Sequence, residues 1–388
     1  MQDEIKKIEL IRVFVPFKEG VQDTMRSGEG KHGMAIPTEE PWQGGDAVIC
    51  KLHSGGGHVG LGEVLVWLPE SGATPGQIID VIEHGLAKYV IGESPSNIER
   101  IWRRMDNNVA QNEIAKGLLD MACYDLAGQI AGKPASEMLG GKTIDEVALA
   151  ALVPLADVKT MVMLAKAFCK AGFTTIRYKL GKSIQIDEEV SRAIREAVGP
   201  SVRLRVDYNQ AYSPEDAIKA IKAIEQFGID VAEQPVDKND VLGMRHVQER
   251  VNVPLMAHEG CASIRDYVSL VELGAVRAIG INAERPGGTR PALKMIDYAA
   301  KKGLGTVIHS QPLGIASAML AHVAAARHDV LGHAPELFGN VMFEDDLIDP
   351  PLKYGKGTIK VPAGPGWGVK IDETALTKYA RSPPTMIT

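Results

Sequence analysis

Short apolar runs alternate with amphipathic helical stretches over most of the chain beyond residue 147. Brief apolar runs bounded by turn signals are typical of buried strands, whereas longer stretches with apolar positions three and four apart are typical of helices. Their alternation predicts parallel strands joined by right-handed helical crossovers. The clearest predicted strands cover residues 175–180, 203–207, 230–233, 254–258, 278–282 and 305–309.

The polar residues that end these apolar runs recur at intervals of 23 to 28 residues. They are Lys179, Asp207, Glu233, Glu259, Asn282, His309 and Glu336. One strand, one helix and two loops take about that length, since eight such units make a barrel of about 250 residues. Strand ends in such a barrel meet on one face, which carries the chemistry. The spacing therefore predicts a closed α/β barrel, and no GxGxxG follows the early strands to favour a dinucleotide-binding sheet.

The first third of the chain has a different pattern, with strands followed by helices. The predicted strands are 8–16, 47–53 and 60–67, and the predicted helices are 74–91, 94–108 and 112–139. A polar stretch rich in Gly, Glu and Lys, residues 18–45, separates the first two strands. Connections of that length inside a compact domain are usually functional or disordered, so we predict a mobile lid here, with plain disorder as the alternative.

Composition narrows the class of protein. A chain of 388 residues, 45% of them hydrophobic, is long enough for two domains, one of them large. The net charge of -6 and the lack of a basic stripe make nucleic acid an unexpected partner. The chain starts without a signal-peptide pattern and has no apolar run that would span a bilayer, so we expect no membrane partner and a cytoplasmic location.

Three carboxylates end successive predicted strands, at Asp207, Glu233 and Glu259. Carboxylate oxygens are hard ligands that suit Mg²⁺, so this trio predicts a magnesium site. His258 precedes Glu259, and neighbouring residues of a strand point to opposite faces, so only one of them should face the barrel axis. Because imidazole is an unusual Mg²⁺ ligand, we prefer Glu259 as the third ligand over His258.

The predicted second barrel strand carries two basic residues on one side, Arg177 and Lys179. A guanidinium beside an ammonium lowers the pKa of the ammonium, which suits Lys179 for a role as general base; a solvated pair at a strand edge is the alternative. His309 would then protonate a leaving group or the opposite face of an intermediate, unless it is a hydrogen-bonded core histidine. Glu336 would contact a substrate carboxylate or orient a partner side chain.

These groups suit one type of reaction. Removal of a proton from the carbon next to a carboxylate makes a dianionic enolate, which needs concentrated positive charge. A metal bound to the carboxylate supplies that charge while a lysine takes the proton. The sequence therefore predicts metal-dependent abstraction of an α-proton from a small carboxylic acid.

Several motifs together resemble the enolase superfamily, in the branch of mandelate racemase and muconate lactonizing enzyme. Arg-Tyr-Lys at 177–179 is similar to the family's Lys-x-Lys motif. The stretches similar to its three metal-ligand motifs are 207–210, 233–235 and 258–259. Further similar stretches are the cap-to-barrel helix from 120–126 to 139–141, the loop at 287–288 and the tail at 365–368.

The resemblance implies a (β/α)7β modified TIM barrel with an α+β capping domain, one Mg²⁺ and an enolate intermediate. The expected divisions are an N-terminal capping domain at 1–140, a catalytic barrel at 141–345 and a tail at 346–388 that returns to the cap. By analogy with the family, we also expect a small carboxylate substrate and a homo-oligomer.

The chain departs from the family pattern at three places. Arg177 replaces the first lysine of Lys-x-Lys, and the pair at 258–259 is neither Asp-Glu nor Gly-Glu. Asn282 stands where muconate lactonizing relatives have a second catalytic lysine and mandelate racemase relatives an aspartate.

The choice among reactions follows from these groups. A base at Lys179 facing an acid at His309 favours an acid-sugar dehydratase that gives a 2-keto-3-deoxy acid. The alternative is a racemase, epimerase or lactone cycloisomerase, and a barrel that binds an acid without turnover is a third hypothesis. We expect Asn209, Asn282 and Glu336 to bind the substrate.

Overall fold

The protein is seen in a computed structural model that describes residues 3–26 and 42–388. Its strands are β1 (Ile5–Pro16), β2 (Gly44–Ser54), β3 (Val59–Val66), β4 (Glu146–Ala148), β5 (Ala150–Val153), β6 (Thr175–Lys179), β7 (Arg203–Asp207), β8 (Ile229–Glu233), β9 (Leu255–Ala257), β10 (Ala278–Ile281), β11 (Gly305–Ser310), β12 (Glu336–Leu337), β13 (Thr358–Lys360) and β14 (Thr385–Ile387).

The α-helices lie between and around these strands. They are α1 (Glu19–Arg26), α2 (Leu68–Ser71), α3 (Pro75–Val81), α4 (Ile98–Asn108), α5 (Glu113–Ala131), α6 (Ala135–Met138), α7 (Val158–Lys170), α8 (Ile184–Val198), α9 (Pro214–Ile224), α10 (Val241–Gln248), α11 (Ile264–Glu272), α12 (Thr289–Lys301), α13 (Gly314–Ala326), α14 (His328–Leu331), α15 (Gly339–Met342) and α16 (Glu373–Tyr379). Within the described ranges, none of these helices has the length and apolar character needed to cross a bilayer.

Strands β5 to β12 form one parallel sheet in chain order, as the predicted barrel requires. The N–H of Ala150 at the start of β5 donates to the carbonyl of Pro335 just before β12, at 2.8 Å, which joins the first strand to the last. Lys179, Asp207 and Glu233 are register partners on neighbouring strands. The prediction of an α/β barrel of the TIM type with a capping domain is confirmed.

The N-terminal strands and the C-terminus build a second, antiparallel sheet in the order β14-β1-β2-β3. Helix α5 packs so tightly on β3 that a Cβ on Gly60 or Gly62 would lie 2.4 or 2.5 Å from a helix carbonyl oxygen. Only glycine permits such an approach. The pairing of β14 with β1 brings the end of the chain to this sheet, and the domain divisions at 140 and 345 stay a prediction.

The cap rests on the end of the barrel where the strands finish. Glu63 of β3 is fully buried and accepts hydrogen bonds from the N–H groups of Leu313, Ile315 and Ala316, at 2.7, 3.0 and 3.2 Å. These donors open α13, directly after β11. A carboxylate is a favourable acceptor for the unpaired N–H groups at a helix N-terminus. One cap strand is thereby fixed beside the seventh barrel strand.

The helices of the first third begin and end differently from the prediction. The segment 94–108 is helical only from Ile98, because residues 94–97 form a turn in which the Asn97 N–H bonds the Ser94 carbonyl. The segment 112–139 breaks at Gly132, which has a φ of 64°, and α6 follows Pro134. The segment 74–91 is α-helical only over α3, and a π-helical turn and a 3-10 turn follow it.

The predicted lid is only partly described. The stretch 18–45 opens with α1 and ends inside β2. Residues 27–41, which form its middle, lie outside the described residues, so the lid stays a prediction.

Candidate functional site

The carboxyl ends of β6, β7 and β8 bring Lys179, Asp207 and Glu233 side by side. All three side chains are buried, and Lys179 is only 5% exposed. Parallel pairing in register puts equivalent strand ends at the same height, so the predicted convergence is a direct result of the barrel. The site is thus built on strand ends and not on mobile connections.

Arg177 lies at the centre of a buried ion network. Its Nε and Nη2 bond the two oxygens of Glu233 at 2.9 and 2.8 Å, and its Nη1 bonds Glu336 at 3.2 Å. Its Nη2 also contacts Asp207. Burial opposes the charged form, but the three carboxylates outweigh it and raise the pKa of Arg177 above its usual range. The guanidinium is therefore a fixed positive charge.

Lys179 and Arg177 both bond the carboxylate of Asp207 and do not bond each other. Its Nζ bonds Asp207 Oδ2 at 2.5 Å and also Asn209 Oδ1, and Arg177 bonds the same oxygen of Asp207. The sequence analysis expected the guanidinium beside the ammonium. The structure places both cations on one oxygen of Asp207, so a carboxylate that the sequence analysis did not foresee there lies between them.

His258 and Glu259 both turn towards the site, against the expectation that only one of them could. Strand β9 ends at Ala257, so both residues lie in the turn that follows it and the alternation rule does not apply to them. His258 Nδ1 is 3.4 Å from Glu233 Oε1 and 3.5 Å from Glu259 Oε2. The site therefore contains a carboxylate and an imidazole where one ligand was expected.

His309 completes an imidazole pair. Its ring centroid is 3.7 Å from that of His258, and its Nε2 is 3.8 Å from Glu233 Oε1. Burial, followed by the positive charge of Arg285, lowers the pKa of His258 well below its usual value. Burial, followed by His258, lowers the pKa of His309 in the same direction. Both rings are therefore neutral at neutral pH, with lone pairs available.

Two of the predicted substrate-binding residues are held by protein groups. Asn209 connects the base to the acidic cluster, because its Oδ1 accepts from Lys179 and its Nδ2 donates to Glu259 at 3.1 Å. Asn282 shapes the turn after β10, where its Oδ1 accepts the N–H of Arg285 at 2.7 Å. Their contact with substrate stays a prediction.

Glu336, the third of these residues, is fully buried between two arginines. It accepts hydrogen bonds from Arg177 and from Arg205, which the sequence analysis did not select. Arg205 lies two residues before Asp207 on β7 and so faces the same side, and that spacing is a signal that would have found it. Glu336 is thus held between two arginines, and both of its predicted roles stay predictions.

Arg285 and Glu70 are further site residues that the sequence analysis missed. Arg285 Nη2 contacts Glu70, and the same nitrogen lies 2.6 Å from His258 Nε2. Glu70 belongs to the short helix α2 of the cap, and Arg285 belongs to a barrel loop. No pattern along the chain connects two such positions, because their contact depends on how the cap docks on the barrel.

The site offers donor atoms for a divalent cation. Glu233, His258 and His309 each offer a ligand atom, and these atoms lie within 4.8 Å of one another. Of the predicted Mg²⁺ ligands, Glu259 has a buried Oε2 with no hydrogen-bond partner among the described residues. Mg²⁺ prefers oxygen coordination, so the carboxylates of Asp207, Glu233 and Glu259 suit it better than the two imidazoles. Mg²⁺ held by these three residues stays what the resemblance implies.

Family comparisons agree with this architecture. Residues 160–375 match the family described as "Enolase C-terminal domain-like". Residues 32–140 match the family described as "Mandelate racemase / muconate lactonizing enzyme, N-terminal domain". The two matches together cover most of the barrel and of the cap.

Individual relatives are isomerases by name. A hydrophobic dipeptide epimerase of Enterococcus faecalis is 36% identical over 292 residues, which is 74% of this chain and 80% of that protein. A chloromuconate cycloisomerase of Cupriavidus pinatubonensis is 30% identical, over 87% of this chain and 91% of that protein. The solved structure of an N-succinyl Arg/Lys racemase from Bacillus cereus covers 99% of this chain and 100% of its own, with a TM-score of 0.88 and 26% identity. This chain belongs to the mandelate racemase / muconate lactonizing enzyme branch of the enolase superfamily.

Proposed function

We propose that this chain is an isomerase that removes the proton α to the carboxylate of a small carboxylic acid, with Lys179 as its base. One observation carries the proposal: the ammonium of Lys179 is buried at the barrel mouth, held by Asp207 and Asn209 beside the acidic and imidazole groups. A base held by two neighbours is oriented before the substrate arrives, which favours proton transfer.

Among the isomerisations, we favour lactone cycloisomerisation because it needs a single base. Lys179 takes the α-proton of the lactone, the electron pair forms a carbon–carbon double bond, and the ring carboxylate leaves the β-carbon as its C–O bond breaks. In the reverse direction the carboxylate adds to the double bond and Lys179 returns the proton. Asn282 stands where muconate lactonizing relatives have a second catalytic lysine. Its amide does not accept a proton at neutral pH, and a reaction with one base does not need a second base there.

The family comparisons do not support the acid-sugar dehydration that the sequence analysis favoured. The relatives compared above are named as an epimerase, a cycloisomerase and a racemase, and none of these three names describes loss of water. The alternative of the sequence analysis, an isomerase that uses the same enolate, has the better support.

Epimerisation is a second candidate, favoured by the dipeptide epimerase relative and by His309. Inversion at the α-carbon needs an acid on the face opposite the base. His309 lies in the same cluster with its Nε2 free of any hydrogen-bond partner that the described residues provide. In this candidate Lys179 removes the proton, and His309, after taking up a proton from solvent, delivers it to the opposite face.

The test is proton NMR in D₂O with muconolactone, a panel of dipeptides and N-succinyl amino acids. We expect exchange of the α-proton of one compound, and Lys179→Ala should slow it by at least about 100-fold, the usual contribution of a general base. Lys182→Ala, which changes an exposed lysine three residues further along, is the matched control. Full exchange in Lys179→Ala would disprove the assignment of the base.

The product separates the two candidates. Formation of a ring-opened alkene from a lactone supports cycloisomerisation, and its absence together with inversion of an α-carbon supports epimerisation. Because inversion requires the acid on the opposite face, His309→Asn should abolish it while leaving exchange by Lys179.

A further inference from the structure

Arg285 fixes both the backbone and the ring of His258. Its Nη1 donates to the carbonyl of His258 at 3.2 Å, and its Nη2 lies 2.6 Å from Nε2 of the ring. A guanidinium nitrogen is always a donor, so Nε2 accepts with its lone pair and carries no proton. The hydrogen bond made by one ring nitrogen decides which nitrogen is protonated, so the proton of this ring is on Nδ1. The contact thus selects one of the two neutral tautomers of His258.

The protonated Nδ1 lies beside two carboxylates of the site. It is 3.4 Å from Glu233 Oε1 and 3.5 Å from Glu259 Oε2. Both separations are slightly longer than a direct hydrogen bond, as in a three-centre contact where two acceptors share one proton. Glu259 Oε2 is buried and has no hydrogen-bond partner among the described residues. Because a buried acceptor without a partner is costly, a donor beside it stabilises this position of the carboxylate.

The other oxygen of Glu259 is held by direct hydrogen bonds. Oε1 accepts from Asn209 Nδ2 at 3.1 Å and from Gln210 Nε2 at 3.3 Å. With Nδ1 of His258 beside Oε2, both oxygens have a donor next to them, so the carboxylate is restrained in one orientation. Glu233 and Glu259 are two of the three Mg²⁺ ligands that the resemblance implies. Hydrogen bonds to the ligands of a metal orient them for binding.

Glu70 connects this arrangement to the cap. Its carboxylate accepts from Arg285 Nη2, the same nitrogen that contacts His258. Glu70 lies in α2 of the cap, whereas Arg285 lies in the barrel loop after β10. The side chains of Arg285 and Glu70 are only 7% and 17% exposed, so solvent screens this ion pair weakly. Docking of the cap therefore helps to hold the guanidinium on the ring.

We propose that Arg285 and Glu70 are positioning residues of the metal site, and that they act through the ring of His258. Arg285 keeps the ring proton on Nδ1, where it restrains the carboxylates of Glu233 and Glu259. A protonated nitrogen has no lone pair for a cation, so His258 supports the ligands and is not one of them. The inference rests on the proposed function, because these carboxylates serve the same proton abstraction.

The first test is the ¹⁵N NMR spectrum of the histidine rings, without metal or substrate. A ring nitrogen shifts strongly when it gains a proton, so the spectrum identifies the tautomer, and His258→Gln assigns the signals. We expect the proton on Nδ1 in wild type. In Arg285→Met, Nε2 loses its donor and has Glu70 Oε1 at 3.8 Å as an acceptor, so the proton should move to Nε2. A proton on Nε2 in wild type would overturn the proposal.

The second test is calorimetric titration of the chelator-treated protein with MgCl₂. Loss of an outer contact of a metal site typically costs about 10–100-fold in affinity, and we expect a loss of that size in Arg285→Met. Arg285→Lys keeps a charged donor and should recover part of the affinity. Glu70→Gln keeps an acceptor for Arg285 without its charge, so its loss should be smaller. Wild-type Mg²⁺ affinity in Arg285→Met would contradict the proposed role.

Arg290→Met is the matched control. Arg290 forms another ion pair between barrel and cap, with Glu99 of α4, at a distance from the imidazole pair along the same loop and helix. If Arg285 only fastened the cap, Arg285→Met and Arg290→Met would lower the urea midpoint alike and neither would change the tautomer or the Mg²⁺ affinity, which would overturn the proposal. The expected tautomer and Mg²⁺ affinities without α-proton exchange in any tested acid would count against the proposed function alone.

Discussion

At the scale of single residues, the contacts of Arg177 explain why arginine suits this position better than the lysine of the family motif. The side chain contacts three buried carboxylates from three directions, which a planar fork of N–H donors can do and a single ammonium cannot. The sequence predicted that Arg177 and Lys179 share a face, and they do. It did not predict that Asp207 lies between them, because the distance between neighbouring strands is set by the barrel.

Removal of this guanidinium should destabilise the protein. Arg177→Met would leave Asp207, Glu233 and Glu336 close together without a compensating charge. Breaking a buried ion pair by removing one partner costs about 3–5 kcal/mol, so we expect a decrease of that size in the free energy of unfolding, measured with urea. Arg192→Met, which breaks an exposed ion pair with Glu188, should change it by no more than about 1 kcal/mol. Equal losses in the two variants would contradict the network's role.

His258 shows a limit of reasoning from sequence at this scale. The pattern predicted a strand over 254–258, but β9 ends at Ala257. One residue of difference decides whether the alternation of side chains applies to His258 and Glu259. Strand ends are the least certain part of a hydrophobic pattern, and in a barrel they are also where the chemistry lies.

At the scale of elements, the barrel strands were predictable and the cap helices less so. Turn signals bound each of these short runs, so β7 matches its predicted bounds and β6, β8 and β10 match within one residue. The cap helices end at local features such as the left-handed Gly132 and the turn before Ile98. The spacing of apolar residues continues across these features, so it does not indicate where the helices end.

His322 joins α13 to α6 and to the C-terminal tail, and we expect it to give the protein a pH dependence. It lies in α13, where its Nδ1 accepts the N–H of Ser136 at 3.2 Å and its Nε2 donates to the carbonyl of Trp367 at 3.2 Å. Burial lowers the pKa of His322 from 6.5 to about 4. A proton on Nδ1 would break the bond to Ser136, so the contacts and the pKa agree.

Wild-type stability should therefore fall as the pH decreases. Between pH 6.5 and about 4, the unfolded chain binds the proton at His322 and the folded chain does not, so stability present above 6.5 is lost through this window. His322→Gln keeps a donor and an acceptor but cannot titrate. Its urea midpoint should depend less on pH across this window than that of wild type or of the exposed control His84→Gln. If the urea midpoint depended on pH equally in all three proteins, His322 would not contribute to the pH dependence of stability.

At the scale of the whole molecule, function depends on how the cap docks on the barrel. Glu63 bonds the start of α13, and Glu70 reaches Arg285 beside the imidazole pair. The family resemblance predicted a cap over the barrel mouth. The spacing of strand ends did not, because a period within the barrel contains no information on contacts between units.

Gly117 should be the most sensitive point of this docking. It lies in α5 of the cap, and a Cβ there would be 2.4 Å from the carbonyl carbon of Gly287 and 2.6 Å from the nitrogen of Gly288, which are backbone atoms of the barrel loop after Arg285. Alanine is the better helix former by about 1 kcal/mol, but forcing apart a packed backbone contact costs about 1–3 kcal/mol or more. We therefore expect Gly117→Ala to lower both the urea midpoint and α-proton exchange, because the loop carries Arg285 to His258. In Gly76→Ala the nearest atom to the new Cβ is 3.8 Å away, so this control should be neutral or slightly stabilising. If Gly117→Ala matched Gly76→Ala in urea midpoint and in α-proton exchange, the close approach of cap and barrel would not be what positions the site.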